Sequence, residues 1–380
     1  MTTVRPVPFN RPYLAPETIE AVRAAFAAGH ISGNGAVGQR CERLLERALG
    51  VPRVLLTTSC THALEMAGLL LGLGPGDEVV LPAFTFASTA NAFVLRGARP
   101  VFVDIRPDTL NLDEGLLDGA ITARTRAIAV VHYAGVACEM DAILAVARRR
   151  GLPVVEDNAH GLFGAYRGRP LGSMGAFAAL SFHETKNIAC GEGGGLVLNR
   201  ARDEARAEII WEKGTDRSRF FRGLVDRYTW RAAGSNYAMS EVLAAVLWSQ
   251  LRARGAIQRR RRALWRRYDA GLAPWCRDHG VARPLVPSHC RQSYHMFHML
   301  LPDAGARTGL LRHLGRRRIQ AVFHYVPLHT SAMGRRFGGR AGQLPVTESV
   351  AGRLVRLPFY TALARTDQDR VIDAVLAFRP

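Results

Sequence analysis

Residues 154–198 read VVEDNAHGLFGAYRGRPLGSMGAFAALSFHETKNIACGEGGGLVL, and their punctuation decides the fold. Val154-Val155-Glu156-Asp157 is an apolar run that ends in carboxylates. Some twenty residues on, Ala178-Ala179-Leu180 leads into Ser181-Phe182-His183-Glu184-Thr185-Lys186-Asn187, and a glycine run from Gly191 to Gly195 opens a third apolar segment. Short apolar runs without strict alternation are strands covered on both faces, as in a mostly parallel sheet with helices packed above and below. Working outward, strands are expected at 54–57, 78–81, 100–103, 127–131, 153–156, 178–182 and 195–198. Helices are expected between them at 61–71, 88–96, 114–120 and 140–150. The alternation predicts an α/β class, whose ligands bind at the carboxyl ends of the strands.

A basic helix is expected over 239–275, with Val242, Ala245, Val246, Trp248 and Leu251 at helical spacing. Beyond Pro284 the character shifts to a smaller α+β unit, with a strand near 295–301 and helices near 307–314, 348–353 and 367–377. The expected division is a large domain over 1–250, with an N-terminal segment, and a connecting helix plus small C-terminal domain over 251–380.

Composition narrows the function. The 380 residues carry a net charge of +19, yet only two of the 51 basic residues are lysines, Lys186 and Lys213. Arginine runs at 148–150, 259–262 and 316–318 raise the reading of a non-catalytic regulator that binds nucleic acid. No helix-turn-helix, zinc-finger or aromatic RNA-binding signature accompanies them, so a solvated arginine surface is the simpler account and no nucleic-acid partner is expected. Six scattered cysteines with no CxxC spacing predict free thiols and no metal site. No apolar run approaches the roughly 20 residues of a membrane span, and 1–12 lacks a signal-peptide core, so a cytoplasmic location is expected.

A carboxylate at one strand end and a lysine in the loop after another is the pairing that pyridoxal 5'-phosphate requires. The lysine forms a Schiff base with the cofactor aldehyde, and the carboxylate keeps the pyridine nitrogen protonated so that the ring accepts electrons. Taken singly, Asp157 reads as a turn cap and Lys186 as a solvated loop lysine; their order in a chain with two lysines favours the cofactor. A phosphate seat is expected where 57–64, Thr-Thr-Ser-Cys-Thr-His-Ala-Leu, runs from strand to helix. There backbone N–H groups and the hydroxyls of Ser59 or Thr61 would meet the phosphate, although a helix cap prefers the same residues. Pro82-Ala83-Phe84-Thr85-Phe86 offers an aromatic ring for stacking.

These motifs, with Glu156-Asp157-Asn158-Ala159-His160 and Gly191-Glu192-Gly193-Gly194, resemble the DegT/DnrJ/EryC1/StrS sugar aminotransferases within the fold-type I, aspartate aminotransferase-like pyridoxal-phosphate enzymes. The resemblance runs from Phe9-Asn10-Arg11-Pro12 to the C-terminal helix. It implies that Lys186 carries the cofactor and the proton, Asp157 binds the pyridine nitrogen, His160 meets the phenolic oxygen and Phe86 stacks on the ring. Thr61 and Ser181 would hold the phosphate, with the Cys60 N–H standing where the family has Gly, a departure that crowds a tight turn. Asn236, in Gly234-Ser235-Asn236-Tyr237, would reach a neighbouring subunit's phosphate and implies a homodimer with shared sites. Segments 212–231 and 322–329 resemble more narrowly the dTDP-4-amino-4,6-dideoxygalactose transaminases. That implies a dTDP-linked 4-keto-6-deoxyglucose as acceptor and L-glutamate as donor, with a 3-keto sugar or 4-keto pentose as alternative acceptors. His324, Tyr325 and His329 become candidates for the sugar region, and Arg217, Arg222 and Arg231 for the diphosphate or donor carboxylates. Related dehydratases carry histidine in place of the lysine, which Lys186 argues against.

Overall fold

The computed structural model describes residues 5–380; the first four residues of the expected large domain lie outside it. Among the described residues the main sheet has seven strands: β1 (Arg53–Thr57), β2 (Glu78–Pro82), β3 (Arg99–Val103), β4 (Thr125–Val131), β5 (Val154–Asp157), β6 (Phe177–Ser181) and β7 (Gly194–Leu198). Their spatial order is β1-β7-β6-β5-β4-β2-β3. Only β7 runs against its neighbours, pairing antiparallel with both β1 and β6. The sheet is therefore mostly parallel, and its strands begin and end within two residues of the expected positions.

Period-two alternation divides the two layers. Val79 and Leu81 of β2, with Leu55, Ala129 and Leu196, face the helices Cys60–Leu70, Ala87–Val94 and Glu204–Trp211. Val80, Ile128, Val130 and Val154 turn the other way, onto Met140–Arg150. Val54, Leu56, Leu180 and Val197 cover that same side against Ala36–Leu49 and the start of the long helix Glu241–Asp278. Apolar side chains at every strand position are what two buried faces demand.

The long helix serves two cores. Ile257 packs with Leu45 against the sheet, whereas Leu264, Trp265, Tyr268 and Leu272 pack with Phe297, Leu314, Val355 and Val371. The second core joins a two-stranded antiparallel sheet, His298–Leu300 with Leu354–Arg356, to the helices Ala304–Arg316 and Arg365–Leu376. Val7 enters it from the other end of the chain, pairing with Ile319.

One contact between distant segments replaces a local cap. The helix Ala36–Leu49 starts after Gly35, which has no side chain to accept its first N–H groups. Glu241 does so instead: its Oε2 accepts from Val37 N at 2.7 Å and its Oε1 from Gly38 N at 2.8 Å. Gly35 is required for this approach, since a Cβ there would lie 2.4 Å from Glu241 Cδ. Glu241→Ala leaves both N–H groups without an acceptor. It is expected to lower the stability of the cofactor-free protein in urea unfolding by about 2–4 kcal/mol, with Glu241→Gln losing less because its carbonyl still accepts one bond.

Candidate active site

The carboxyl ends of β1, β2, β4, β5 and β6 converge on one cavity of about 440 Å³, within the usual range for a small-molecule site. It is lined by Ser59, Cys60, Thr61, Phe86, Asp157, His160, Ser181 and Lys186 from the sheet edge, and by His324, Tyr325 and Arg356 from the C-terminal part. Ten of the side chains singled out from the sequence thus meet in one place.

Glu156 and Asp157 show how a strand separates two adjacent carboxylates. Glu156 faces away from the cavity and is wholly buried, accepting from Gly172, Met174 and Gly175 N–H at 2.6–2.8 Å. It also accepts from His132 Nε2 at 2.9 Å. His132 Nδ1 takes the Cys138 N–H, so the imidazole proton resides on Nε2 and points at Glu156. Burial pushes Glu156 up, but the His132 bond and the backbone donors outweigh it and hold the carboxylate below its usual range. Asp157, on the other face, opens on the cavity. Its Oδ2 accepts from Thr89 Oγ1 at 2.7 Å and its Oδ1 from Ala159 N at 3.1 Å. Because Thr89 spends its proton on Asp157, the 2.8 Å contact with Thr85 must run from the Thr85 hydroxyl to Thr89. Burial still raises the Asp157 pKa above its ordinary value, so the carboxylate has capacity left for a cation.

Lys186 follows β6 by five residues and projects into the same cavity. Burial lowers its pKa from 10.5 to about 8, with Cys60 and Asp157 opposing the shift and Arg356 adding to it. Among the described residues its ammonium forms no ion pair. His160 stacks on His295 with ring centroids 4.2 Å apart. Burial, then the charges of Lys186 and Arg356, press its pKa well below the usual histidine value, so the ring is neutral. His160 Nδ1 is buried without a hydrogen-bond partner.

At the other end, Ser59 caps the helix Cys60–Leu70, its Oγ accepting from His62 N at 3.1 Å, and its hydroxyl proton remains to be donated. Thr61 Oγ1 donates to Ser88 Oγ at 2.8 Å, at the wall of the cavity. The crowding expected at Cys60 does not arise, because Cys60 takes helical backbone and is absent from the positive-φ residues. The close approach is on β7, where a Cβ on Gly194 would lie 2.3 Å from Ser59 C and 2.4 Å from Cys60 N. Phe86 is 63% exposed, a large ring facing the opening with little packed on it.

Other expected residues lie elsewhere. His329 is wholly buried outside the cavity, with Nε2 2.9 Å from Glu348 Oε1. Arg222 pairs with both oxygens of Glu208, and Arg231 with Asp216 at 2.7 Å. Arg217 lies over the Phe221 ring at 5.1 Å. Asn236 is exposed and bridges to Glu212 through the backbone. Thr89, Tyr133, His295 and Arg356 join the site without having been expected from the sequence. Nothing local marks them: each acquires its place from a contact far along the chain, such as the Tyr133 hydroxyl 3.1 Å from His324 Nδ1.

The residues present fit pyridoxal phosphate. An orphaned buried imidazole nitrogen, a buried carboxylate with spare capacity, a neutralisable lysine and an open helix N-terminus line one space. Among the described residues no group of His, Cys, Asp and Glu suits a metal ion, and no helix is long and apolar enough to cross a membrane.

Known proteins share this fold. Residues 12–376 match the DegT/DnrJ/EryC1/StrS aminotransferase family. The chain is 32% identical over 377 residues to the spore coat polysaccharide biosynthesis protein SpsC of Bacillus subtilis (strain 168), covering 97% of this chain and 96% of that one. Its fold matches the aminotransferase TlmJ from Streptoalloteichus hindustanus with a TM-score of 0.90, at 33% identity over 98% of both chains. It matches the PLP form of Spr1654 from Streptococcus pneumoniae with a TM-score of 0.90, at 26% identity over 98% of both.

The lysine pKa sets a pH signature for the cofactor-free protein. A folded pKa of about 8, below the ordinary 10.5, means that folding resists protonation of Lys186. The penalty is complete below pH 8 and fades as pH rises toward 10.5. Its size is on the order of 1–3 kcal/mol. Lys186→Met is therefore expected to exceed the wild type in urea-unfolding stability at pH 7 and to lose most of that advantage by pH 9.5. An advantage independent of pH would contradict the shift.

Proposed function

The chain belongs to the DegT/DnrJ/EryC1/StrS aminotransferase family and is a pyridoxal-phosphate-dependent aminotransferase, and from that premise we propose that it aminates a dTDP-linked keto sugar. In this proposal L-glutamate is the donor and dTDP-4-keto-6-deoxy-D-glucose the acceptor, giving dTDP-4-amino-4,6-dideoxy-D-galactose. The meeting of Lys186 and Asp157 in one cavity with the unpartnered His160 Nδ1 supports the pyridoxal chemistry, and the resemblance of segments 212–231 and 322–329 supports the acceptor and donor.

The bound cofactor supplies an electron sink, so that an amino group passes from donor to acceptor in two halves. Each residue role is part of the proposal. Lys186 Nζ would hold the cofactor, take a proton from the donor carbon and return one to the sugar carbon. Burial brings its pKa down to about 8, near the working pH, so Nζ suits both directions of transfer. Asp157 holds the proton on the pyridine nitrogen, braced by Thr89 and the Ala159 N–H. His160 would lie beside the phenolic oxygen. Ser59, the Cys60 N–H, Thr61 and Ser181 bind the phosphate at the positive end of the helix Cys60–Leu70. Phe86 stacks on one face. His324 and Tyr325 meet the sugar at the cavity wall.

The proposal includes a homodimer. Segment 217–231 presents Phe221, Leu224 and Trp230 at 60–78% exposure, more apolar surface than water tolerates cheaply. Asn236, Arg217, Arg222 and Arg231 lie on or next to that segment, so they contact substrate only in a neighbouring subunit's site. His329 acts through Glu348 and not by touching the sugar. A 3-keto sugar or a 4-keto pentose is the alternative acceptor, and family membership does not favour the non-catalytic nucleic-acid regulator. The expected cytoplasmic location belongs to the same proposal.

Two experiments check this reading. Incubation with glutamate and a panel of dTDP-keto sugars, followed by NMR of the products, is expected to give the axial 4-amino galacto sugar fastest; conversion only of a 3-keto sugar would reject the acceptor. Lys186→Ala should lose the visible absorbance of covalently held cofactor and all turnover. Mixing it with inactive Asn236→Ala is expected to restore activity, up to about a quarter of the wild-type level, because a mixed dimer with shared sites has one intact site of two. No recovery in a verified mixed dimer would refute sharing through Asn236.

A further inference from the structure

Tyr133 is buried beside the cavity without lining it, yet its hydroxyl meets a residue that does. It follows β4 by two residues, in a short turn that is held from several sides. Its N–H donates to Asn111 Oδ1 at 2.8 Å. Two residues on, Gly135 has positive φ and lies so close to Ser293 that a Cβ there has no room. The Tyr133 ring is enclosed by Phe84, His298 and His324, with centroids 5.1, 5.7 and 5.8 Å away. Among the described residues its hydroxyl has one hydrogen-bond partner, His324 Nδ1 at 3.1 Å.

Proton accounting gives that bond its direction. Burial pushes the Tyr133 pKa above its ordinary value, so the hydroxyl keeps its proton. Burial, and then the charge of Arg356, press His324 well below the usual histidine value, so its ring is neutral and carries one proton. Were that proton on Nδ1, the tyrosine O–H would be buried with nothing to accept it. With the tyrosine donating, both groups are satisfied and the His324 proton resides on Nε2. His324 lines the cavity, and among the described residues no protein group bonds to its Nε2. His295 is fixed the opposite way. Asn187 spends its Nδ2 on the Ser293 carbonyl at 2.7 Å, so only its Oδ1 is left to accept from His295 Nδ1 at 3.1 Å. The tautomer of each cavity imidazole is thus set by a different neighbour.

We infer that Tyr133 is a positioning residue, which holds His324 in its Nε2–H form so that His324 donates a hydrogen bond to an oxygen of the acceptor sugar. This step rests on the reaction proposed above. The carbonyl and ring oxygens of a keto sugar offer lone pairs alone, and its hydroxyls offer either. An N–H at the cavity wall therefore fits every sugar oxygen, whereas a bare nitrogen fits only a hydroxyl. A buried tyrosine supplies this choice at no cost in cavity space, because it acts from behind the imidazole.

Tyr133→Phe removes the hydroxyl and leaves the ring in place. Proton–nitrogen correlation spectra of cofactor-loaded enzyme with isotope-labelled histidine read the tautomer, and the His324 signals are identified by their loss in His324→Gln. The wild type is expected to show a bare Nδ1 and a protonated Nε2, and Tyr133→Phe a mixture of the two forms. KM for the keto sugar should rise about 5- to 20-fold in Tyr133→Phe, while KM for glutamate changes less than about twofold. In His324→Gln an amide N–H stands in for Nε2–H and needs no tyrosine to hold its proton. Adding Tyr133→Phe to that variant is therefore expected to weaken sugar use no further. A wild-type proton on Nδ1 overturns the assignment, and this spectrum decides whether or not Tyr133→Phe folds. An unchanged tautomer in Tyr133→Phe also overturns it, as does an unchanged sugar KM where the tautomer has shifted. An equal rise in both KM values marks a merely structural role and overturns it too. Failure of the underlying reaction looks different: a wild type that aminates no keto sugar refutes the proposed function, and with it the sugar as recipient of the bond, whatever the tautomer.

Discussion

The site depends on withdrawing one carboxylate and one lysine from water at the same sheet edge. Burial drives Asp157 to take a proton and Lys186 to lose one, and each group only partly relieves the other. Left alone, such a pair would neutralise itself. What holds Asp157 to its charge is a short relay of donors, Thr85 to Thr89 to Oδ2, with the Ala159 N–H on Oδ1. Thr85 comes from the turn after β2 and Thr89 from the helix that follows it, and the carboxylate comes from the end of β5. The pairing of β4 between those strands therefore sets the geometry that fixes the acid. Sheet order is thus part of the acid–base chemistry, not merely its support.

The same strand shows how position outranks residue type. Glu156 and Asp157 are neighbours with the same functional group, yet alternation sends them to opposite faces. Glu156 is saturated by three backbone N–H groups and His132, and it secures the loop at 172–175 on which β6 depends. Asp157 is held by two donors and keeps an open side. A register slip of one residue would exchange a structural acid for a functional one. Arg261 extends this frame into the C-terminal part. From the long helix it donates to the carbonyls of Tyr294 and His295, and His295 stacks on His160. The helix that separates the two cores thereby also fixes the ring that faces the cavity.

Much of this was legible because parallel strands are written as apolar runs and their functional residues follow immediately in sequence. Asp157, Ser181, Lys186, Ser59 and Phe86 could be read from where each run stops. The helices Thr18–Ala27, Ala36–Leu49 and Glu204–Trp211 were passed over. For Ala36–Leu49 the reason is physical: its cap is Glu241, some two hundred residues away, and Gly35 gives no start signal. Arginines posed the harder problem. In a chain with so many, sequence cannot say which has a carboxylate at hand. Arg222 and Arg231 have found Glu208 and Asp216, whereas Arg356, from an unremarkable stretch of Arg353-Leu354-Val355-Arg356, has found none. The unpaired charge becomes visible only when the whole cavity is assembled.

The cysteine at the start of the helix Cys60–Leu70, in the proposed phosphate turn, shows what a departure from a motif does and does not change. A glycine is required where the backbone turns left-handed or where another chain segment presses close. Cys60 meets neither condition, being the first residue of an ordinary helix with its side chain at the cavity wall. The steric demand is met across the sheet by Gly194, which lies directly against the Ser59–Cys60 peptide. Because Gly194 has no side chain, β7 lies close against the Ser59–Cys60 peptide at the cavity wall. The thiol itself adds no anion there: burial, and then the Asp157 charge, push its pKa well above the ordinary value despite the opposing effect of Lys186. A neutral, polarisable atom at the helix N-terminus leaves the positive end of the dipole available to a phosphate, which a carboxylate in its place would have neutralised.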